Sequence, residues 1–155
     1  MQIIILKVGV NEKMIRPFVE KDLESVAQIW LSSNITAHWF IPSSYWQSHY
    51  EEVKQLLPQA TLWVFEDKAE IQGFIGLTEQ MIAGLFVAAD FRCRGVGKRL
   101  LDHVKNFYDN LALQVYRKNV RALHFYLREG FLIGKEQVDP ETGQTEYIMY
   151  WKKSV

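Results

Sequence analysis

The sequence predicts a mixed α/β domain in which one sheet carries helices on its faces. Three observations lead there. Short runs rich in β-branched and aromatic residues alternate with stretches whose apolar residues recur every three to four positions. Strand-like runs in the middle of the chain are joined by a short polar turn, as in an antiparallel meander. The 155 residues suit one domain, and 48% apolar and 14% aromatic content supports a packed core.

The elements follow in order. "MIRPF", residues 14–18, begins the domain as a strand. Residues 1–13 are then an N-terminal extension, left by an upstream start or by cloning, or an extra edge strand through the β-prone "IIIL". Asp22 opens a helix as its N-cap. Leu23, Val26, Ala27, Trp30 and Leu31 give that helix its buried stripe. "SSNITAHWFIPSS", residues 32–44, reads as a loop. A second helix starts at Ser44, where Ser44 and Gln47 have capping-box spacing, and stops before Pro58.

"TLWVF", "IQGFIGL" and "MIAGLFV" are strands, the first two joined across "EDKAE". Val96, Leu100, Leu101, Val104, Phe107 and Tyr108 keep helical period. "LALQVY" is a strand, "VRALHFYLRE" a helix ended by Gly130 at its C′ position, and "FLIGKEQV" and "TEYIMYW" a closing hairpin across "DPETG".

Composition narrows the function. Net charge is zero, so the footprint of a nucleic-acid binder is missing. Charge is segregated, however. Residues 14–80 hold four Lys/Arg against nine Asp/Glu, and residues 90–130 hold nine against four. One part of the fold suits an anion and the other a cationic substrate. The single cysteine, Cys93, excludes a disulfide framework and fits a reducing cytoplasm. No run reaches the ~20 apolar residues of a membrane span, and no metal site is expected.

"AADFRCRGVGKRLLDHV", residues 88–104, sets four cations around two glycines at the mouth of a helix. Unpaired N–H groups and the helix dipole make such a mouth an anion site. Gly95 and Gly97 admit phosphate oxygens close to the main chain. Arg92, Arg94, Lys98 and Arg99 add charge. A P-loop fails because no hydroxyl residue follows Lys98, and a dinucleotide fingerprint fails because Leu100 replaces its third glycine.

The segment does fit R-x-x-G-x-G, as Arg92-Cys93-Arg94-Gly95-Val96-Gly97 after the strand "GLFV". It resembles motif A of the GCN5-related N-acetyltransferases, and "NVRALHFYLREGF", residues 119–131, resembles their motif B. The resemblance spans Met14 to Trp151 and is closest to small bacterial members of that family. It implies a three-layer fold with a mostly antiparallel sheet of about six to seven strands, splayed between the fourth and fifth, and about four helices.

The implied activity is direct acetyl transfer from acetyl-CoA to a primary amine. The acceptor is open between protein lysine, a protein N-terminus and a small-molecule amine, and so is the choice of monomer or homodimer. Neither nucleic acid nor membrane is an expected partner. A non-enzymatic acyl-CoA sensor on the same fold is the alternative.

By resemblance, Leu85, Phe86 and Val87 lie along the pantetheine arm, with main-chain groups of Phe86 and Val87 offered to it. The loop Arg92–Arg99 (Arg92, Cys93, Arg94, Gly95, Val96, Gly97, Lys98, Arg99) holds the diphosphate, and Asn119 reaches the arm. The Val87 N–H also suits a developing oxyanion. Tyr126 is the expected general acid, protonating the thiolate as the C–S bond breaks. Cys93 reads as loop filler, since direct transfer needs no nucleophilic thiol.

The base is less determined. A lysine amine with pKa ≈ 10.4 must lose a proton before it attacks. Many relatives have a glutamate in the fifth strand, where this chain has Gln114. Glu79 and His38 are the remaining candidates, with a solvated turn and a packed histidine as their plain readings. Trp39, Phe40, Tyr45 and Trp46 line an acceptor pocket by cation–π attraction, or simply pack their loop.

Overall fold

The computed structural model describes residues 13–155. The extension expected over residues 1–13 therefore lies, apart from Lys13, outside the described residues. The elements are β1 (Met14–Pro17), α1 (Leu23–Ala37), α2 (Ser43–Leu56), β2 (Thr61–Asp67), β3 (Glu70–Thr78), β4 (Met81–Val87), α3 (Val96–Lys105), β5 (Asn110–Tyr116), α4 (Val120–Arg128), β6 (Leu132–Val138) and β7 (Thr145–Lys152). One seven-stranded sheet has the order β1-β2-β3-β4-β5-β7-β6.

Every pairing is antiparallel except β4 with β5. Those two strands run parallel and share only Met81↔Ala112 and Ile82↔Leu113. A bulge at this point explains the parting. Gly84 faces Gly76 and Ile82 faces Leu77, so Ala83 is an extra residue with no partner on β3. Bulges bend and over-twist a strand, and here the bend carries the rest of β4 away from β5. The expected splay is present, with a local cause.

Each face of the sheet has its own core. Val26 and Ala27 of α1 and Leu57 of the turn after α2 pack on Leu62, Val64 and Phe74. Leu100, Leu101, Val104 and Tyr126 pack from α3 and α4 on Ile75, Leu77, Leu111, Leu113 and Met149. Strand alternation turns Leu111, Leu113 and Val115 into this second core, leaving Ala112, Gln114 and Tyr116 on the α1–α2 side.

Four details differ from the expectations, the simplest being that α3 ends at Lys105, so Phe107 and Tyr108 lie past the helix whose period they keep. The helix opened near Asp22 runs on to Ala37, through the stretch read as loop. Its late turns are polar, yet Ser33 and Asn34 are buried, and Asn34 Nδ2 donates to the Trp30 carbonyl. Asp22 makes no side-chain cap. Its carboxylate instead accepts from Arg16 at 2.8 and 3.0 Å and from the Val19 N–H. Finally, α2 starts at Ser43 behind Pro42, with no capping bond from Ser44. Proline pre-sets the φ of that entry without help from a hydroxyl.

Candidate functional site

The site is built where β4 parts from β5. Ala88 N–H donates to the Gln72 carbonyl at 2.8 Å, which makes the neighbouring Gly73/Val87 pair non-hydrogen-bonded on that ladder. By alternation, Leu85 and Val87 direct their N–H and C=O groups away from β3, into the gap that β5 leaves open. Phe86 does the reverse. Its main-chain groups join the β3 ladder, and its ring lies against Phe74, with centroids 5.4 Å apart. Of the two residues expected to offer main-chain groups, Val87 has them free among the described residues; Leu85, expected only to lie alongside, has them free in the same sense, and Phe86 is a packing residue.

Beyond β4, a short turn over Ala89–Phe91 leads into the glycine loop. Cys93 and Gly95 have φ of +62° and +81°, so left-handed residues bracket Arg94. Such alternation makes successive N–H groups converge on an anion. Arg99 is the first α3 residue to donate back, to Gly95 O at 3.0 Å. The amides of Val96, Gly97 and Lys98 therefore have no intrahelical acceptors.

A Cβ placed on Gly97 would meet nothing closer than Phe125 and Val87, both at 3.7 Å. Those are ordinary contacts, whereas a Cβ on Gly95 would meet nothing within 4 Å; the open approach there and the unpaired amides fit a diphosphate group.

The four loop cations divide. Lys98 is paired with Asp102 at 3.2 Å and Glu129 at 3.1 Å. Arg99 lies over the Phe65 ring at 5.0 Å, turned toward β2. Arg94 rests over Phe91 at 5.9 Å, and Arg92 is half-buried. One further cation enters from the first turn of α4, where Arg121 Nη2 lies 2.8 Å from Cys93 Sγ. Nothing in the spacing of the glycine segment announces Arg121, because it arrives through tertiary packing. The same contact gives Cys93, read as loop filler, a partner on α4.

Tyr126 is buried in the α3–α4 core, flanked by Phe125 and Phe131. Burial alone raises its phenol, keeping it protonated. Asn119 caps α4, its Oδ1 accepting from Ala122 N at 3.3 Å. That cap orients the amide so that Nδ2 faces His38 Nε2, also at 3.3 Å.

His38 is enclosed by Trp46 (stacked, 5.1 Å), Tyr116 (5.1 Å) and Phe40 (5.7 Å). Burial lowers its pKa to about 4, so the ring is neutral. Its Nε2 lone pair accepts from Asn119, which puts the proton on Nδ1, a buried atom with no partner among the described residues. His38 thus connects the end of α1 to the start of α4.

The expected aromatic residues part company. Trp46 is buried and Trp39 is 74% exposed. Phe40 and Tyr45 line a cavity of about 510 Å³ with Pro42, Ser48, Glu141 and Thr142. Tyr45 Oη donates to Glu141 at 2.7 Å, and Tyr116 Oη to Asp139 at 2.6 Å. These bonds tie the β6–β7 loop to α2 and β5. Glu79 stands apart from all of this. It is exposed in the β3–β4 turn at φ +54°, beside Gln80, whose carbonyl accepts from Ala112 N. That is the closed end of the splay.

Comparison with known proteins agrees with this architecture. The family description "Acetyltransferase (GNAT) domain" matches residues 58–132. The peptidyl-lysine N-acetyltransferase YiaC of Escherichia coli is 34% identical over 140 residues, covering 89% of this chain and 96% of the relative. The peptidyl-lysine N-acetyltransferase YjaB of Salmonella typhimurium is 35% identical over 118 residues, 75% of this chain and 81% of that one. The solution structure of apo-form YjaB from Escherichia coli superposes with a TM-score of 0.81 at 27% identity, over 92% of this chain and 99% of that one.

Proposed function

The chain belongs to the GNAT acetyltransferase family, and from that premise we propose that it transfers the acetyl group of acetyl-CoA directly to the side-chain amine of a lysine in a protein or peptide. The relatives named as peptidyl-lysine acetyltransferases support the acceptor class. The observation that carries the reading is the juxtaposition at the splay. Unpaired amides at the mouth of α3 follow directly on β4, the main-chain groups of Leu85 and Val87 turn from β3 where β4 parts from β5, and Tyr126 belongs to the core cluster against which Leu85 and Val87 pack.

Acetyl-CoA supplies an acyl group activated as a thioester. The amides of Val96, Gly97 and Lys98 hold its diphosphate, with Arg92, Arg94 and Arg121 adding charge. Leu85 and Val87 orient the pantetheine arm through their main chain, as an added strand is held. The Val87 N–H donates to the carbonyl oxygen as negative charge develops there, worth a few kcal/mol for one preorganised donor. Tyr126 gives its proton to the departing sulfur. Phe40 and Tyr45 receive the acceptor's aliphatic stem and cation on the α1–α2 side of the sheet. The lone cysteine and the bacterial relatives support a bacterial cytoplasmic enzyme. No helix among the described residues is long and apolar enough to cross a membrane.

The test is thioester consumption by purified protein with lysine peptides, N-terminal peptides and polyamines, with mass spectrometry of the products. Acetylated lysine peptide is the expected product. Tight acetyl-CoA binding with no acetylated product from any acceptor would instead favour an acyl-CoA sensor.

A further inference from the structure

We infer that Glu146, on β7, is the general base that takes the proton from the acceptor amine; this role rests on the transferase reading above. The ammonium of a lysine must become an amine before it attacks, and the amide of Gln114 cannot accept that proton. Strand register names the substitute. Gln114 pairs with Ile148 and Tyr116 with Glu146 across β5 and β7. Residues directly opposite share a face, so Gln114, Tyr116, Ile148 and Glu146 all lie on the α1–α2 side. Glu146 is the diagonal neighbour of Gln114, about 7–8 Å away in an antiparallel pair. That is within reach of a group bound over Gln114, directly or through one water.

Its surroundings suit the task. Glu146 is 8% exposed. Gln137 Nε2 donates to its Oε1 at 2.8 Å and orients the carboxyl plane. Among the described residues only Gln137 donates to it, so Oε2 remains for a substrate N–H. The neighbouring carboxylates are committed: Asp139 accepts from Tyr116 and Glu141 from Tyr45. His38 has its lone pair on Asn119. Glu79 is exposed at the closed end of the splay, whereas Glu146 is level with Tyr116 at the open end.

The acid and the base then occupy opposite faces, Tyr126 in the α3–α4 core and Glu146 across the sheet. One ammonium proton passes to Glu146 and on to solvent. The nitrogen lone pair forms the N–C bond, and the C–S pair leaves with sulfur. Sulfur takes the Tyr126 proton, Glu146, emptied to solvent, takes the second proton from nitrogen, and a solvent proton restores the Tyr126 phenol, so that one proton is released per turnover.

The decisive experiment compares wild type with Glu146→Gln on two acceptors: a lysine peptide, and an alkoxyamine that is already neutral at the assay pH. Glutamine keeps an acceptor oxygen for Gln137. With the lysine peptide, E146Q should lose 10²-fold or more in kcat/KM, the range of general base catalysis. With the alkoxyamine it should approach wild type. Should E146Q fail to fold, Glu146→Asp should show the same acceptor-selective loss, reduced in size. An equal loss on both acceptors, or no loss on either, overturns the role. Wild-type protein that turns over neither acceptor overturns the transferase reading instead, and the role with it.

Discussion

His38 accepts a hydrogen bond from Asn119 across 3.3 Å, joining residues 81 positions apart in the chain. The bond requires a neutral imidazole, and burial enforces one by lowering the pKa to about 4. The unfolded chain binds a proton at His38 near pH 6.5, before the folded protein does. Stability from this site is therefore complete above pH 6.5 and declines as pH falls toward 4. The loss should amount to roughly 2–3 kcal/mol. His38→Gln, which keeps an acceptor for Asn119 Nδ2, should flatten that part of the curve. Urea denaturation between pH 4 and 7 checks it, and identical acid slopes for both proteins would refute it.

Tyr126→Phe removes the proton donor and little else, since the ring packs between Phe125 and Phe131. Turnover should fall about 10²-fold, the lower end for general acid catalysis. Acetyl-CoA affinity by calorimetry should hardly change. Unaltered turnover would remove Tyr126 from the chemistry.

Gly97→Ala should separate folding from binding. The new methyl meets only ordinary contacts at 3.7 Å, and alanine favours a helix by up to about 1 kcal/mol over glycine. The melting temperature should hold or rise. Coenzyme A affinity should drop at least about 10-fold, since a few lost hydrogen bonds to an anion exceed 1.4 kcal/mol. Retained affinity would show that the diphosphate lies elsewhere.

Arg16→Ala should destabilise the domain strongly. Asp22 is 3% exposed and receives two bonds from Arg16, which also reaches Glu66 at 2.8 Å. Removing the cation leaves a buried carboxylate with one N–H donor, a loss of about 3–5 kcal/mol for a broken buried pair. Denaturant midpoints measure it, and a shift below about 1 kcal/mol would mean that water replaces the guanidinium.

What the chain alone determines is what recurs locally. The apolar stripe of Val96, Leu100, Leu101 and Val104 sets α3, because a helix presents every third or fourth residue to one side. Gly95 and Gly97 mark its mouth, since left-handed backbone and close anion approach are both local demands. Asn119 and Gly130 bracket α4 for the same kind of reason, as a cap and a C′ residue. The meander and the closing hairpin are equally local.

Tertiary structure decided the rest, wherever a residue's role depends on something distant in sequence. Residues 32–37 look polar enough for a loop and are helical, because packing buries Ser33 and Asn34. Lys98 and Arg99 look like ligands and are taken by Glu129 and Phe65, while Arg121 comes in from α4. Phe86 and Val87 are adjacent, yet only Val87 opens to the gap, a distinction set by the β3 register and the Ala83 bulge. Glu146 stands 32 residues after Gln114 and beside it only through β5–β7 pairing. Periodicity is written into a chain, but pairing is a choice among distant partners that burial and hydrogen bonding make together.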